Sequence, residues 1–311
     1  MKFSSKLALV VASLAASTAH ATTIRVHHAD SVTSLVFSPD GQGILTGSRD
    51  HTASVWDSET GSQIRVFNAL DVVQSVAYSP DGGDVLLGET RAGAYLLDAK
   101  TGSTIHSFEV RRDSVISATF APDGNTILTG SPNQAMIWNT KLGTANGLMR
   151  VKGFNSFSAA SFSPDGQSVI TGANDRTATL WNVKTGQQER TFEGHLGAVL
   201  SAVFSPDGKK ILTGSSDSTA ILWDIETGAQ LRIFSGQRSA ITSVAFSFDG
   251  EKIMTGSADG TVLLWDVMTG ETLDEFAATN HSPVNTVAFS PDSSRIAFGS
   301  QDGNAVIQTL K

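Results

Sequence analysis

The chain contains no cysteine. Disulfides, thiolate metal sites, a cysteine nucleophile and a lipidated N-terminal cysteine are therefore excluded. A fold without covalent staples suits a bacterial export product better than a secreted animal protein. Tyrosine is nearly absent too, with only Tyr78 and Tyr95. No basic run occurs, and the formal charge is −8, which argues against nucleic acid or an anionic membrane as the main partner. Long apolar runs are missing as well. The one apolar stretch, Leu7 to Ala16, is half of the roughly 20 residues needed to cross a bilayer, so no stable membrane insertion is expected.

That short stretch has a different reading. Lys2 and Lys6 precede it, and Ala19-His20-Ala21 follows with small residues at the first and third positions. The pattern is that of a secretory signal peptide over 1–21, cut after Ala21. A periplasmic or secreted location is then expected for the remainder, 22–311. Removing the two lysines takes its charge to −10.

What fills the remainder is repetition. Ser38-Pro39-Asp40-Gly41 returns at Ser79, as Ala121-Pro122-Asp123-Gly124, at Ser163 and at Ser205, then as Ser247-Phe248-Asp249-Gly250 and Ser290-Pro291-Asp292-Ser293. The intervals are 41, 42, 42, 42, 42 and 43 residues. Such a period marks a repeat architecture. Within one period, an alternating run such as Val199–Phe204 reads as a strand, and Pro-Asp-Gly as a tight turn. Lys210–Gly214, Thr219–Asp224 and Gln230–Phe234 supply three more strands, separated by polar turns. Four short antiparallel strands per period make one propeller blade.

A repeat near 42 residues, with Gly194-His195 before its first strand and Trp-Asp closing its third, resembles the WD40 family. Trp-Asp stands at Trp56-Asp57, Trp223-Asp224 and Trp265-Asp266, with Trp138-Asn139 and Trp181-Asn182 as variants. The resemblance implies an all-β, seven-bladed propeller. The last repeat has only three strands, while Thr23-Ile24-Arg25-Val26-His27 is similar to the fourth strands Gln63–Phe67 and Gln230–Phe234. The N-terminal segment is therefore expected to complete blade seven and remove an exposed edge.

The family also implies a hydrogen-bonded tetrad in each blade. Matched by position, it is complete as His28, Thr46, Asp50 and Trp56 in blade one and as His195, Thr213, Asp217 and Trp223 in blade five. Blade six has Gln237 in place of His, blade four has Gly153, and blade three is one residue short in its turn. Blade two keeps none of the set, offering Leu87, Arg91 and Leu97; blade seven keeps Asp302 beside Phe298 and Gln308. A catalytic triad would occur once, whereas a packing device recurs, so these sets are expected to be structural.

In relatives the top face commonly binds partners. Carried over by position, its candidates here are Arg49, Val72, Gln74, Ile116 and Leu200, with Arg111 and Arg112 nearby and small polar residues such as Thr33, Ser158, Thr242 and Asn285. The only arginine at the matched positions is Arg49, so the aromatic and Arg anchors of typical interfaces are scarce. Enzyme readings find little footing. Ser257-Ala258-Asp259-Gly260-Thr261 is like an Asp-box turn, but sialidase-like sites need a tyrosine nucleophile and both tyrosines sit at repeat-core positions. No metal or cofactor set emerges. A non-catalytic scaffold for a protein or peptide is expected, acting as a monomeric ring, with a small ligand or glycan in the central channel, or a top-face hydrolase or lyase, as alternatives.

Overall fold

The computed structural model describes residues 23–110, 114–132, 134–150 and 157–310, without the side chains of 148–150. They form seven four-stranded antiparallel sheets, the blades of a closed propeller. In blade one the strands are a (Val32–Phe37), b (Gly43–Ser48), c (Thr52–Asp57) and d (Gln63–Asn68), paired in chain order. Five more blades repeat this order. Strands a of successive blades lie against one another around the centre.

Burial follows from this stacking. Each sheet is sandwiched between two neighbours, so strand b of blade one is buried at every residue and strand c at its four central ones. The outer strand d buries only its fifth residue, Phe67. Cores form between blades rather than within them. The d-strand phenylalanine of one blade packs on the c-strand tryptophan of the next, as in Phe108–Trp138, Phe192–Trp223 and Phe234–Trp265 with ring centroids 5.5–5.7 Å apart. At Gly47 the next blade comes so close that a Cβ would lie 2.7 Å from Val73.

The Ser-Pro-Asp-Gly turns close as their chemistry demands. The Gly41 N–H donates to the Ser38 carbonyl at 2.8 Å, and Gly41 takes φ +71°, a left-handed conformation open to glycine. Asp40 accepts from the Ser38 hydroxyl at 2.6 Å and from the Gln42 N–H at 3.0 Å. These bonds hold its carboxyl below the usual range, the Ser38 hydroxyl contributing most.

Around the ring each turn glycine lies beside the turn proline of the preceding blade, Gly82 against Pro39 and Gly124 against Pro80. Two of the three departures from the motif, Phe248 and Ser293, meet at one junction. Phe248 replaces proline and therefore keeps an N–H, which donates to the hydroxyl of Ser293, the residue replacing glycine, at 3.0 Å. Ser293 holds φ +58° to do so. We predict that Ser293→Ala destabilises the protein by about 0.5–1.5 kcal/mol but has no such cost beside Phe248→Pro. Equal costs in both backgrounds, by denaturant titration, would sink the coupling.

Blade seven closes the ring as Val284–Phe289, Arg295–Ser300, Asn304–Thr309 and the N-terminal Thr23–His27. The register differs from the similarity read in the sequence. Strands d of blades one, two and three to six carry a bulge opposite the Trp position, as between Val55 and Trp56. The closing strand has none, running straight from Thr23↔Gln308 to His27↔Asn304. Thr23 still faces the Trp position, as Gln63 does, but Ile24 to His27 are each displaced by one from the matched pattern. Val26, not His27, takes the buried place of Phe67, is 3 % exposed and joins the core around Trp56. The bulge follows the c–d turn in the other blades, and strands c and d of blade seven are not linked by such a turn.

Candidate functional site

The complete tetrads are built where the loop before strand a meets the b–c turn. In blade one, His28 Nδ1 lies 2.9 Å from Asp50 Oδ2 and Nε2 lies 2.7 Å from Thr46 Oγ1, which accepts the Trp56 indole N–H at 2.7 Å. Blade five repeats these contacts at 2.9, 2.7 and 2.9 Å through His195, Asp217, Thr213 and Trp223. An ionised carboxylate can only accept, so Nδ1 carries the proton and Nε2 of the neutral ring accepts the threonine hydroxyl. Asp50 and Asp217 also accept from loop N–H groups, Ala29 at 3.0 Å and Leu196 at 2.8 Å. Each set therefore ties a loop, a turn and two strands together. Thr46 and Thr213 have no exposed surface, so neither hydroxyl can meet a substrate as a nucleophile.

Burial lowers the pKa of both histidines, and the neighbouring aspartate offsets this only in part. Burial acts to raise Asp50 and Asp217 as well, but hydrogen bonds from Thr52, Thr219 and the loops outweigh it and leave both carboxyls low. A depressed histidine favours folding fully above its unfolded value of about 6.5, and that share is lost as pH falls toward the folded value. Blade six supplies the control. There Thr255 donates to Gln237 Oε1 at 2.7 Å while still accepting from Trp265 at 2.9 Å, with no titrating group. The double variant His28→Gln/His195→Gln is expected to fold and to show a flatter loss of melting temperature as pH falls below about 6.5 than the native chain. Glu89, raised by burial, acts in the opposite direction in both proteins, so the difference between the two profiles is the readout. Identical slopes would refute the assignment.

The incomplete blades retain parts of the network. Trp138 donates to Thr129 at 2.8 Å and Trp181 to Thr171 at 2.9 Å. In blade seven Gln308 accepts the hydroxyl of Thr23. Gly153 lies outside the described residues. Blade two solves the loop problem differently, a device not visible from the motif. Buried Glu89, at the end of strand b, accepts the Leu70 and Asp71 N–H groups at 3.1 Å each, taking the capping role of the absent aspartate.

The candidate binding face is less free than its sequence suggests. Arg49 is exposed. Val72 is half-buried, and its carbonyl accepts the Thr90 N–H at 3.0 Å. Gln74 donates to Thr90 Oγ1 at 3.0 Å. Ile116 packs into the core between blades three and four, while half-buried Leu200 is on blade five, so these and Val72 are not one joined cluster. Arg111 and Arg112 lie outside the described residues. Thr33, Thr242 and Ser158 spend their hydroxyls on the next blade, Thr242 reaching the Val284 carbonyl at 2.6 Å. Asn285 does the same at the closing junction, donating to the Val32 carbonyl at 2.7 Å.

Comparison with known proteins accords with this architecture. The family model described as "WD domain, G-beta repeat" matches residues 20–57, 102–139, 148–182, 186–224, 228–266 and 271–307. The longest stretch it leaves out, 58–101, holds most of blade two, whose tetrad positions are Leu87, Arg91 and Leu97. A protein from Lymnaea stagnalis, "Guanine nucleotide-binding protein subunit beta", is 29% identical over 101 residues, or 31% of this chain. The match spans 29% of that relative's length.

Proposed function

Since the chain belongs to the WD40 family, a group of propellers that typically act as protein-interaction scaffolds, we propose that it is an exported, non-catalytic scaffold for a protein or peptide. The observation that carries this reading is the fate of the reactive groups. The repeated His, Asp and Thr side chains are consumed in buried networks, which leaves a stiff ring rather than a reaction centre. The curated relative is by name one subunit of an assembly, in keeping with a role through contacts. Export rests on the charged, apolar and small-x-small pattern of the first 21 residues, and a cut after Ala21 would spare the closing strand that begins at Thr23. Among the described residues no helix is long and apolar enough to cross a membrane.

The test is capture from periplasmic extract with the native chain and with an Arg49/Arg111/Arg112 charge-reversed variant. A partner held by the first and lost by the second is the expected result. Retention by both would remove the top-face assignment, and turnover in a broad hydrolase screen would remove the scaffold reading itself.

A further inference from the structure

Blade six departs from the repeat at several places that converge on one cavity. Gln237 stands where blades one and five have the tetrad histidine. Its amide turns inward, donating to the Thr255 and Thr261 carbonyls at 3.2 and 3.0 Å. Asp259 Oδ2 keeps the loop N–H of Arg238 at 2.7 Å but, among the described residues, has no histidine partner. On strand d, Glu275 occupies the position that is Val66 in blade one and Ile233 in blade five. The loop before blade seven adds a short turn at Thr279–His281, bringing the backbone of His281 over Gly260.

Together these changes border a half-open pocket of about 470 Å³ lined by buried Gln237, by Asp259, Thr261 and His281, and by the exposed Arg238 and Glu275. That volume is in the range of small-ligand sites, roughly 300–1,000 Å³. Its charges are two carboxylates and one guanidinium, and the Arg238 guanidinium enters no ion pair among the described residues. The complement is a ligand with two cationic groups and one carboxylate. We propose that this cavity binds a free basic amino acid, its cationic groups on Asp259 and Glu275 and its carboxylate on Arg238. The site lies on the rim of one blade and is independent of the scaffold reading.

The decisive variant is Gln237→His, which recreates the set of blades one and five and occupies Asp259 Oδ2 with an imidazole. Calorimetric titration with L-arginine and with agmatine, which lacks the carboxylate, is the experiment. Expected are saturable binding of L-arginine at up to millimolar concentration, a loss of at least tenfold in Glu275→Gln, and no binding in Gln237→His, whose melting temperature stays at or above the native value. Agmatine should bind more weakly and, unlike L-arginine, should not be weakened by Arg238→Gln. Absence of saturation in the native chain, or undiminished binding in Gln237→His, would overturn the proposal.

Discussion

Deleting Thr23–His27 is expected to abolish the single cooperative melt and make the protein associate. Five residues are lost, but the consequence reaches both ends of the chain. The strand pairs along its whole length with Asn304–Thr309, so its removal bares the backbone edge of strand c in blade seven, a template for pairing with other copies. It also strips Val26 from the core shared with Val32, Leu35, Trp56 and Ile307. A milder variant separates core from edge. Val26→Asp keeps the backbone and places an unpaired carboxylate at a site 3 % exposed, where a loss of more than about 4 kcal/mol is expected. Thermal and denaturant melts together with sedimentation check both. A deletion variant that melts like the native chain and stays monomeric would mean the closing pairing carries no weight.

Asp217→Ala is the second large effect, a loss of about 1–3 kcal/mol. The carboxylate accepts His195 Nδ1–H at 2.9 Å, the Leu196 N–H at 2.8 Å, and the Thr219 N–H and hydroxyl at 2.9 and 2.6 Å. Alanine leaves these donors without their acceptor, and the cost arises from stranded donors rather than from one lost bond. His195, no longer held at Nδ1, also ceases to orient the Thr213 hydroxyl under the Trp223 indole. Arg91→Ala, at the matching position of blade two, should change stability by less than about 0.5 kcal/mol, because Glu89 has taken over the loop there. Equal melts for the two alanine variants would contradict the tetrad's role.

The contrast between Asp217 and Glu89 shows where legibility stops. Asp217 is readable because it recurs at a fixed offset from His, Thr and Trp, and the same chemistry repeated at one period identifies itself. Glu89 does its work from another strand position and only once, so no periodic signal marks it. The junctions are hidden for a related reason. Ser34, Ser75, Ser201 and Ser243 accept backbone N–H groups of the following blade at 2.9–3.2 Å, yet in the sequence each is merely a polar residue in an alternating strand. Arg190 and Arg232 grip turn carbonyls of the next blade, Arg232 reaching Thr269 at 2.8 Å across 37 positions. At the closing junction Arg295, from strand b, reaches the Ser58 and Gly41 carbonyls instead.

By itself the sequence determined the number of blades, the order of strands within each, the turn chemistry and the membership of the complete tetrads. All of these are local or strictly periodic, set by φ preferences, alternation and the need to satisfy buried donors within one repeat. Tertiary structure alone decided the register of the closing strand, the spending of Thr33, Thr242 and Asn285 on neighbouring blades, and the opening of a cavity beside Gln237. These depend on which residues of different blades share a boundary. The closing strand is the clearest case: without a c–d turn to impose a bulge, pairing slipped by one residue from the pattern, so that an apolar side chain, Val26, fills the core and His27 faces solvent.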